Sequence, residues 1–317
     1  MAPLVSVIVP TYNRPALLRH TLVSVAGQQD IAAGDVEVIV VNDGGCDVEL
    51  PVVAAAERGL QVRLINQPRN LGLPAARNAG LDVARGEYVT FLDDDDVFLP
   101  KHLATMLAAL SNSGADVAYG TCIVSDTRID PTNPRQLPPV VPEPAYPFDA
   151  DRLSVSNFLP VHTAVLRRPP AGARFDPALP ALKDWDMWLR LVREHGYQFE
   201  HVPRATVVYH RIPGDSSMCG STMDDSAALA GFGRLVERIW RRWPAATPAA
   251  QRFRLWIAAM YWQAFAMLAE RQSLPDNYYF RCVGHLAAVW HGEQPEDALL
   301  DRISESIRDG AGARAAS

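Results

Sequence analysis

Four consecutive carboxylates, Asp93-Asp94-Asp95-Asp96, follow the apolar run Tyr88-Val89-Thr90-Phe91-Leu92. Adjacent like charges repel at short range, and this run is not diluted by Lys, Asn or Ser. Carboxylate oxygens suit a hard cation, Mg²⁺ or Mn²⁺, which takes one or two protein carboxylates and leaves its other positions to phosphate and water. The plainer alternative is a solvated turn between a strand and a helix. Three other loops carry candidate chemistry. Pro10-Thr11-Tyr12-Asn13-Arg14 offers an aromatic face on which a nucleobase can stack; its alternative is a turn in which Asn13 caps the next helix. In Val41-Asn42-Asp43-Gly44-Gly45, Asp43 can accept from a base imide N–H or serve as a turn residue. In Arg69–Gly80, small residues at 72, 75, 76, 79 and 80 permit close approach, and Arg77 with the helix start can face an anionic group. Later, Leu182, Trp185, Leu189 and Val192 form a core-facing stripe at helical spacing. Asp184 lies off that stripe in the first turn, where the helix dipole favours a carboxylate.

The elements that position these loops read as alternating strands and helices. Strands are expected at 4–9, 36–41, 61–66, 88–92 and 117–125, with helices at 16–28, 52–58, 73–84 and 100–111. That alternation predicts a mostly parallel sheet covered on both faces, an α/β fold. Ligands of such sheets sit beyond the carboxyl ends of the strands, where the loops above lie. Residues 126 to 148 are an irregular, proline-rich connection. A strand at 161–168, a helix at 182–195 and a strand at 198–209 follow, and then helices at 227–243, 249–271, 278–290 and 296–308. The helix at 249–271 carries no charge from Leu255 to Ala269. It is apolar around most of its circumference, so burial on several sides is expected. That stretch is too short for a bilayer span of roughly 20 residues.

Composition bounds the function. A net charge of −6, with 36 acidic against 30 basic side chains, is the wrong balance for a phosphate-backbone binder, so no nucleic-acid partner is expected. Four scattered cysteines without a C-x-x-C pair read as reduced thiols of a cytoplasmic protein. P-loop, H-E-x-x-H and G-x-S-x-G motifs do not occur. Trp240, Trp243, Trp256, Trp262 and Trp290, accompanied by arginines, read as helix packing with snorkelling arginine stems. An acceptor groove, a homodimer face or peripheral contact with the inner face of a membrane are the sharper readings of these helices.

In order and spacing, PTYNR, VVNDGG, RNLGLPAARNAG and FLDDDDVFLP resemble the family-2 glycosyltransferases of the GT-A fold, closely over residues 4 to 125 and more loosely to 215. The resemblance implies a Rossmann-like, GT-A-like catalytic domain over 1–223, followed by a helical subdomain over 224–310 and a flexible tail over 311–317. It implies a nucleotide-sugar donor, a UDP-sugar first among candidates, and a metal-dependent, inverting transfer to a carbohydrate, lipid-linked or small-molecule acceptor. Pro10, Thr11, Tyr12, Arg14, Asp43, Arg77, Asp93 and Asp94 are the implied donor-binding residues. Asp95 matches the metal ligand, with Mn²⁺ or Mg²⁺ as cofactor, and His210 in Tyr209-His210-Arg211 is a second implied ligand. Arg211 is an alternative contact to the diphosphate. Asp184 matches the catalytic base, although Lys183 stands where the family commonly has an acidic residue. A non-catalytic nucleotide-sugar-binding module and a sugar nucleotidyltransferase are the alternatives.

Overall fold

The structure is a computed structural model that describes residues 2–131, 146–212, 226–272, 274 and 278–304. The tail at 311–317, most of the proline-rich connection and the boundary expected at 223 lie outside the described residues. The chain divides into two compact units, Met1–Phe148 with Asn157–Asp215, and Asp149–Ser156 with Ser216–Ser317.

In the first unit, eight strands form one mixed sheet. They are β1 (Val5–Thr11), β2 (Val36–Asn42), β3 (Gln61–Asn66), β4 (Tyr88–Phe91), β5 (Val97–Phe98), β6 (Val117–Ser125), β7 (Val165–Arg167) and β8 (Phe199–His210). Their order is β3-β2-β1-β4-β7-β6-β8-β5. β1 pairs in parallel with β2 and β4, β2 with β3, and β6 with β8, while β7 and β5 run against their neighbours. The continuous apolar runs of β1 and β2, buried at every position, are what a sheet covered on both faces requires. Parallel register sets Thr11 beside Asn42 and Ile8 beside Phe91, so the loops after β1, β2 and β4 emerge along one edge. β6 and β8 end there too, with Ser125 opposite His210.

The flanking helices are α1 (Pro15–Ala26), α2 (Glu49–Glu57), α3 (Leu73–Val83), α4 (His102–Ser113) and α6 (Lys183–His195). Helix α3 sits on β1 so closely that a Cβ at Gly80 would lie 2.4 Å from Ile8 Cγ2. The strand expected at 161–168 is instead a 3₁₀ turn, Val161–Thr163, followed by the short β7; the Thr163 hydroxyl donates to the Pro160 carbonyl and holds the turn. The two-residue β5, whose pairing with β8 is non-local, left no sequence signal.

The second unit contains α5 (Ala150–Val155), α7 (Ser226–Arg242), α8 (Pro248–Ala269) and α9 (Tyr278–Trp290). Asp149 caps α5 by accepting from Asp151 N and Arg152 N. Phe253, Ile257, Met260 and Ala264 of α8 pack with Tyr278, Cys282 and Leu286 of α9. The helix expected at 296–308 begins as a 3₁₀ turn, Glu296–Ala298, is α-helical over 299–304, and then leaves the described residues. Arg254 donates to the carbonyls of Ser154, Trp240 and Trp243. Burial of α8 on several sides is not found: one stripe is buried, while Leu255 and Trp262 on the opposite side are 71% and 72% exposed. Among the described residues, no helix is long and apolar enough to cross a membrane.

The α3–β1 contact gives a direct test. Gly80→Ala raises intrinsic helix propensity by about 1 kcal/mol yet forces a methyl into Ile8, and overpacking costs about 1–3 kcal/mol. Denaturant unfolding should show net destabilisation, reduced in an Ile8→Ala background; equal effects in both backgrounds would contradict the contact.

Candidate active site

The four aspartates leave β4 in a tight turn closed by Asp96 N donating to the Asp93 carbonyl at 3.1 Å, and each enters different surroundings. Asp93 Oδ1 accepts from Arg77 at 2.7 Å. Asp94 Oδ2 accepts from the Thr11 hydroxyl at 2.7 Å, and Oδ1 meets Arg14 at 3.4 Å. Asp95 Oδ2 accepts from Arg14 at 2.9 Å. Asp96 Oδ1 accepts from the His210 amide at 3.0 Å, while Oδ2 lies 3.4 Å from His162 Nδ1 without a hydrogen bond. Asp93 and Asp95 remain partly exposed; Asp94 and Asp96 are buried.

Arg77, expected to face an anionic group, has a side chain that is 1% exposed and bridges two of the protein's own carboxylates, Asp93 through one terminal nitrogen and Asp184 through the other. The guanidinium also lies 5.8 Å from the centroid of Phe91 and 5.5 Å from that of Phe175, rings that themselves meet edge to face. Next to it, Asn78 holds the Phe175 segment by donating to its carbonyl and accepting from its amide. One helix therefore collects the turn after β4, the start of α6 and the 175 segment. Asp184 is partly exposed in the first turn of α6, whereas Asp186 is fully buried and Lys183 turns inward toward the Pro180 carbonyl.

Other expected site residues also have partners within the protein. His210 Nδ1 donates to the Asp95 carbonyl at 2.6 Å and its Nε2 accepts from Ile129 N at 3.1 Å. Both ring nitrogens are engaged by backbone, and burial lowers its pKa to about 4. The Asp43 carboxylate accepts from the amides of Leu71 and Gly72 at 2.7 and 2.8 Å. Asp94 braces the end of β1 through Thr11. Asn13 does not cap α1. It adopts a left-handed φ of 59° and accepts from Cys46 N at 2.8 Å. Gly44, at φ 70°, is required because a Cβ there would lie 2.2 Å from the Arg69 backbone. Pro10 is buried near the end of β1, and Tyr12, just beyond the strand, is 45% exposed. Arg211 anchors the chain past β8 through its amide to the Ser125 carbonyl.

Sequence reading missed His162, which lay inside an expected strand. The 3₁₀ turn points it at the acidic turn, where ligand atoms of Asp93, Asp96 and His162 lie within 4.8 Å of one another. Burial lowers the pKa of His162 to about 4 against the opposing pull of Asp93 and Asp184. Its Nε2 and Asp96 Oδ2 are buried without hydrogen-bond partners. Together with a partly exposed oxygen of Asp93, these residues form an O- and N-donor set of the chemistry that fits a divalent cation. Arg128 adds a further unexpected contact, donating to the Asp95 carbonyl at 3.0 Å.

The carboxylates of the turn are pushed apart in acidity. Burial would raise Asp93, but Arg77 and His162 hold it below the ordinary range. Burial raises Asp94 to about 6, the Thr11 hydrogen bond opposes this, and the Asp95 charge adds to it. Asp95 is raised by burial and by Asp93, and Asp96 is raised well above the ordinary value by burial and by Asp95. For Asp94 the folded-state pKa exceeds the unfolded value, so ionisation disfavours the folded state. That penalty is absent below about pH 4 and complete above about pH 6. Asp94→Asn should therefore gain on wild type between those pH values by up to about 3 kcal/mol. Urea unfolding at pH 4 and pH 7 measures this, and a pH-independent difference would contradict it.

The chain matches the family model "Glycosyl transferase family 2" over residues 6–171. It is 32% identical over 209 residues to the uncharacterized glycosyltransferase YwdF of Bacillus subtilis, covering 65% of this chain and 73% of that protein. It is 37% identical over 124 residues to the GalNAc(5)-diNAcBac-PP-undecaprenol beta-1,3-glucosyltransferase of Campylobacter jejuni, but spans only 39% of that enzyme and 38% of this chain is aligned. Among solved structures, S. aureus TarS 1-349 in complex with UDP-GlcNAc superposes with a TM-score of 0.54 at 18% identity, covering 96% of this chain and 92% of that one. The mannosyltransferase PcManGT of Pyrobaculum calidifontis, in complex with GDP-Man and Mn²⁺, gives 0.53 at 19% identity, covering 98% and 88%. These likenesses establish a GT-A-like fold. The acidic turn, its arginine bridge and the matched model lead to one conclusion: the chain belongs to glycosyl transferase family 2.

Proposed function

We propose that this chain transfers a sugar from a nucleoside-diphosphate donor, a UDP-sugar by preference, to an acceptor hydroxyl, with Asp184 as general base and inversion at the anomeric carbon. The observation that carries the reading is the meeting of Asp93 and Asp184 at Arg77. A carboxylate at the donor-binding edge of the sheet and a partly exposed carboxylate on α6 are thereby fixed within one guanidinium's reach.

Tyr12, exposed beyond β1, offers its ring to the base, and Asp93 is the carboxylate suited to the ribose. Asp43 shapes this cleft by holding the 71–72 amides. Mn²⁺ or Mg²⁺ would be held by Asp95, and when bound it would offset the charge that develops on the departing diphosphate. Asp184 accepts the proton of the acceptor hydroxyl as that oxygen bonds to the anomeric carbon and the bond to the diphosphate breaks. A single displacement inverts the centre and requires no carboxylate nucleophile. Asp186, fully buried, is not available for the base role. The acceptor is a carbohydrate, a lipid-linked sugar or a small molecule, and the setting is cytoplasmic. Residues 224–310 form the accompanying helical subdomain.

Asp184→Asn and Asp95→Asn separate the two halves of this proposal. Calorimetry with UDP and Mn²⁺ should give near-wild-type affinity for Asp184→Asn, while turnover of a sugar-nucleotide panel falls by about 10² to 10⁴. Asp95→Asn should instead lose the Mn²⁺-dependent part of binding. Wild-type turnover by Asp184→Asn would overturn the base assignment, and binding by Asp95→Asn that still responds fully to Mn²⁺ would overturn the metal assignment.

A further inference from the structure

The exposed side of α8 carries a self-complementary pattern. Leu255, Ala258, Trp262, Phe265 and Ala269 follow a three-four spacing, the seam of a helix that pairs with another helix. The stripe contains no charged residue and extends for about 21 Å at 1.5 Å per residue. It faces away from the buried stripe of Phe253, Ile257, Met260 and Ala264. Leu255 and Trp262 are largely exposed, and the Trp262 and Phe265 rings meet edge to face at 6.1 Å. Large apolar groups at this spacing on an outward face require a cover.

We infer that this face is the two-fold interface of a homodimer, formed by antiparallel pairing of α8 with α8 of a second copy, centred on Trp262. The occupant follows from the order of residues along the stripe. An antiparallel two-fold through Trp262 sets Leu255 against Ala269, and Ala258 against Phe265. Leu255 and Phe265 thus each meet an alanine while the two Trp262 rings meet at the axis, a self-complementary arrangement of the kind an isologous interface needs. On the other flank Ala259 and Ala266 meet and let the helices approach. Charge agrees independently. Arg252 and Glu270 lie on the same flank of α8 at its two ends, and the same two-fold brings each Arg252 to the other copy's Glu270. Arg252 also contacts Glu296 in its own chain, yet its side chain is still 53% exposed. A lipid surface would account for the apolar stripe but not for the large-to-small order or for the acidic Glu270 beside it.

Sedimentation equilibrium of the full chain tests this over about 1 to 100 µM, with flotation on anionic phosphatidylglycerol vesicles in parallel. The expected species is a dimer of the 34.8 kDa chain. Trp262→Glu changes an exposed residue and should keep the far-ultraviolet circular dichroism while weakening dimerisation by at least about 30-fold, the scale of a buried hot spot. Arg252→Glu should weaken it less, and Arg252→Glu with Glu270→Arg should restore it. A wild type that is monomeric throughout, a dimer indifferent to Trp262→Glu, or a monomer captured by the vesicles through Trp262 would each overturn the proposal.

Discussion

One buried guanidinium sets the geometry on which the site depends. Arg77 projects from α3 into a space closed by Phe91 and Phe175, where an unpaired cation would be strongly disfavoured. Burial works against its charge, and Asp184 and Asp93 more than compensate, so its pKa is raised overall. The dependence runs both ways, because removing one member of a buried ion pair typically costs about 3–5 kcal/mol. The end of β4 and the start of α6 are remote in sequence, and this pairing fixes them to each other. The site is therefore specified by the same contacts that close the sheet unit around α3.

The acidic turn follows from a related constraint. Four adjacent carboxylates cannot share one environment, and the fold separates them. Asp93 is neutralised by Arg77, Asp94 is tied to Thr11, Asp95 meets the half-exposed Arg14, and Asp96 is buried beside His162 and the His210 amide. The two outward-facing members can meet a ligand while the two inward-facing members bind the turn to β1 and β8. Desolvation and like charge raise the inward pair above the ordinary carboxylate range. The neutral, buried His162 and the orphaned Asp96 oxygen leave donor atoms that a cation can satisfy.

What was legible in the sequence, and what was not, divides along physical lines. β3, β6 and α9 were found at their observed bounds because periodicity and punctuation are local. The loops at the strand ends were found because parallel strands must present them on one edge. Partners were not legible. Arg77 reads as a cation facing an anionic group, and only the fold shows Phe91 and Phe175 closing around it and Asp93 and Asp184 pairing with it. The Ile129 amide and Asp95 carbonyl that meet the His210 nitrogens are likewise absent from any local pattern. His162 was lost because a 3₁₀ turn interrupts what looks like one strand. α8 lacks charge all round one stretch, yet only one of its sides is packed, a distinction that depends on neighbours rather than on composition.

The account rests on Arg77 holding Asp93 and Asp184 together, and a double-mutant cycle measures that coupling most directly. Arg77→Lys keeps the charge but replaces a two-pronged group with a single ammonium, and Asp184→Asn removes one of its partners. Unfolding free energies of wild type, both single variants and the double variant should give a coupling above about 1 kcal/mol, the range for directly contacting pairs. Additive effects, with Arg77→Lys costing the same whether residue 184 is Asp or Asn, would contradict the account.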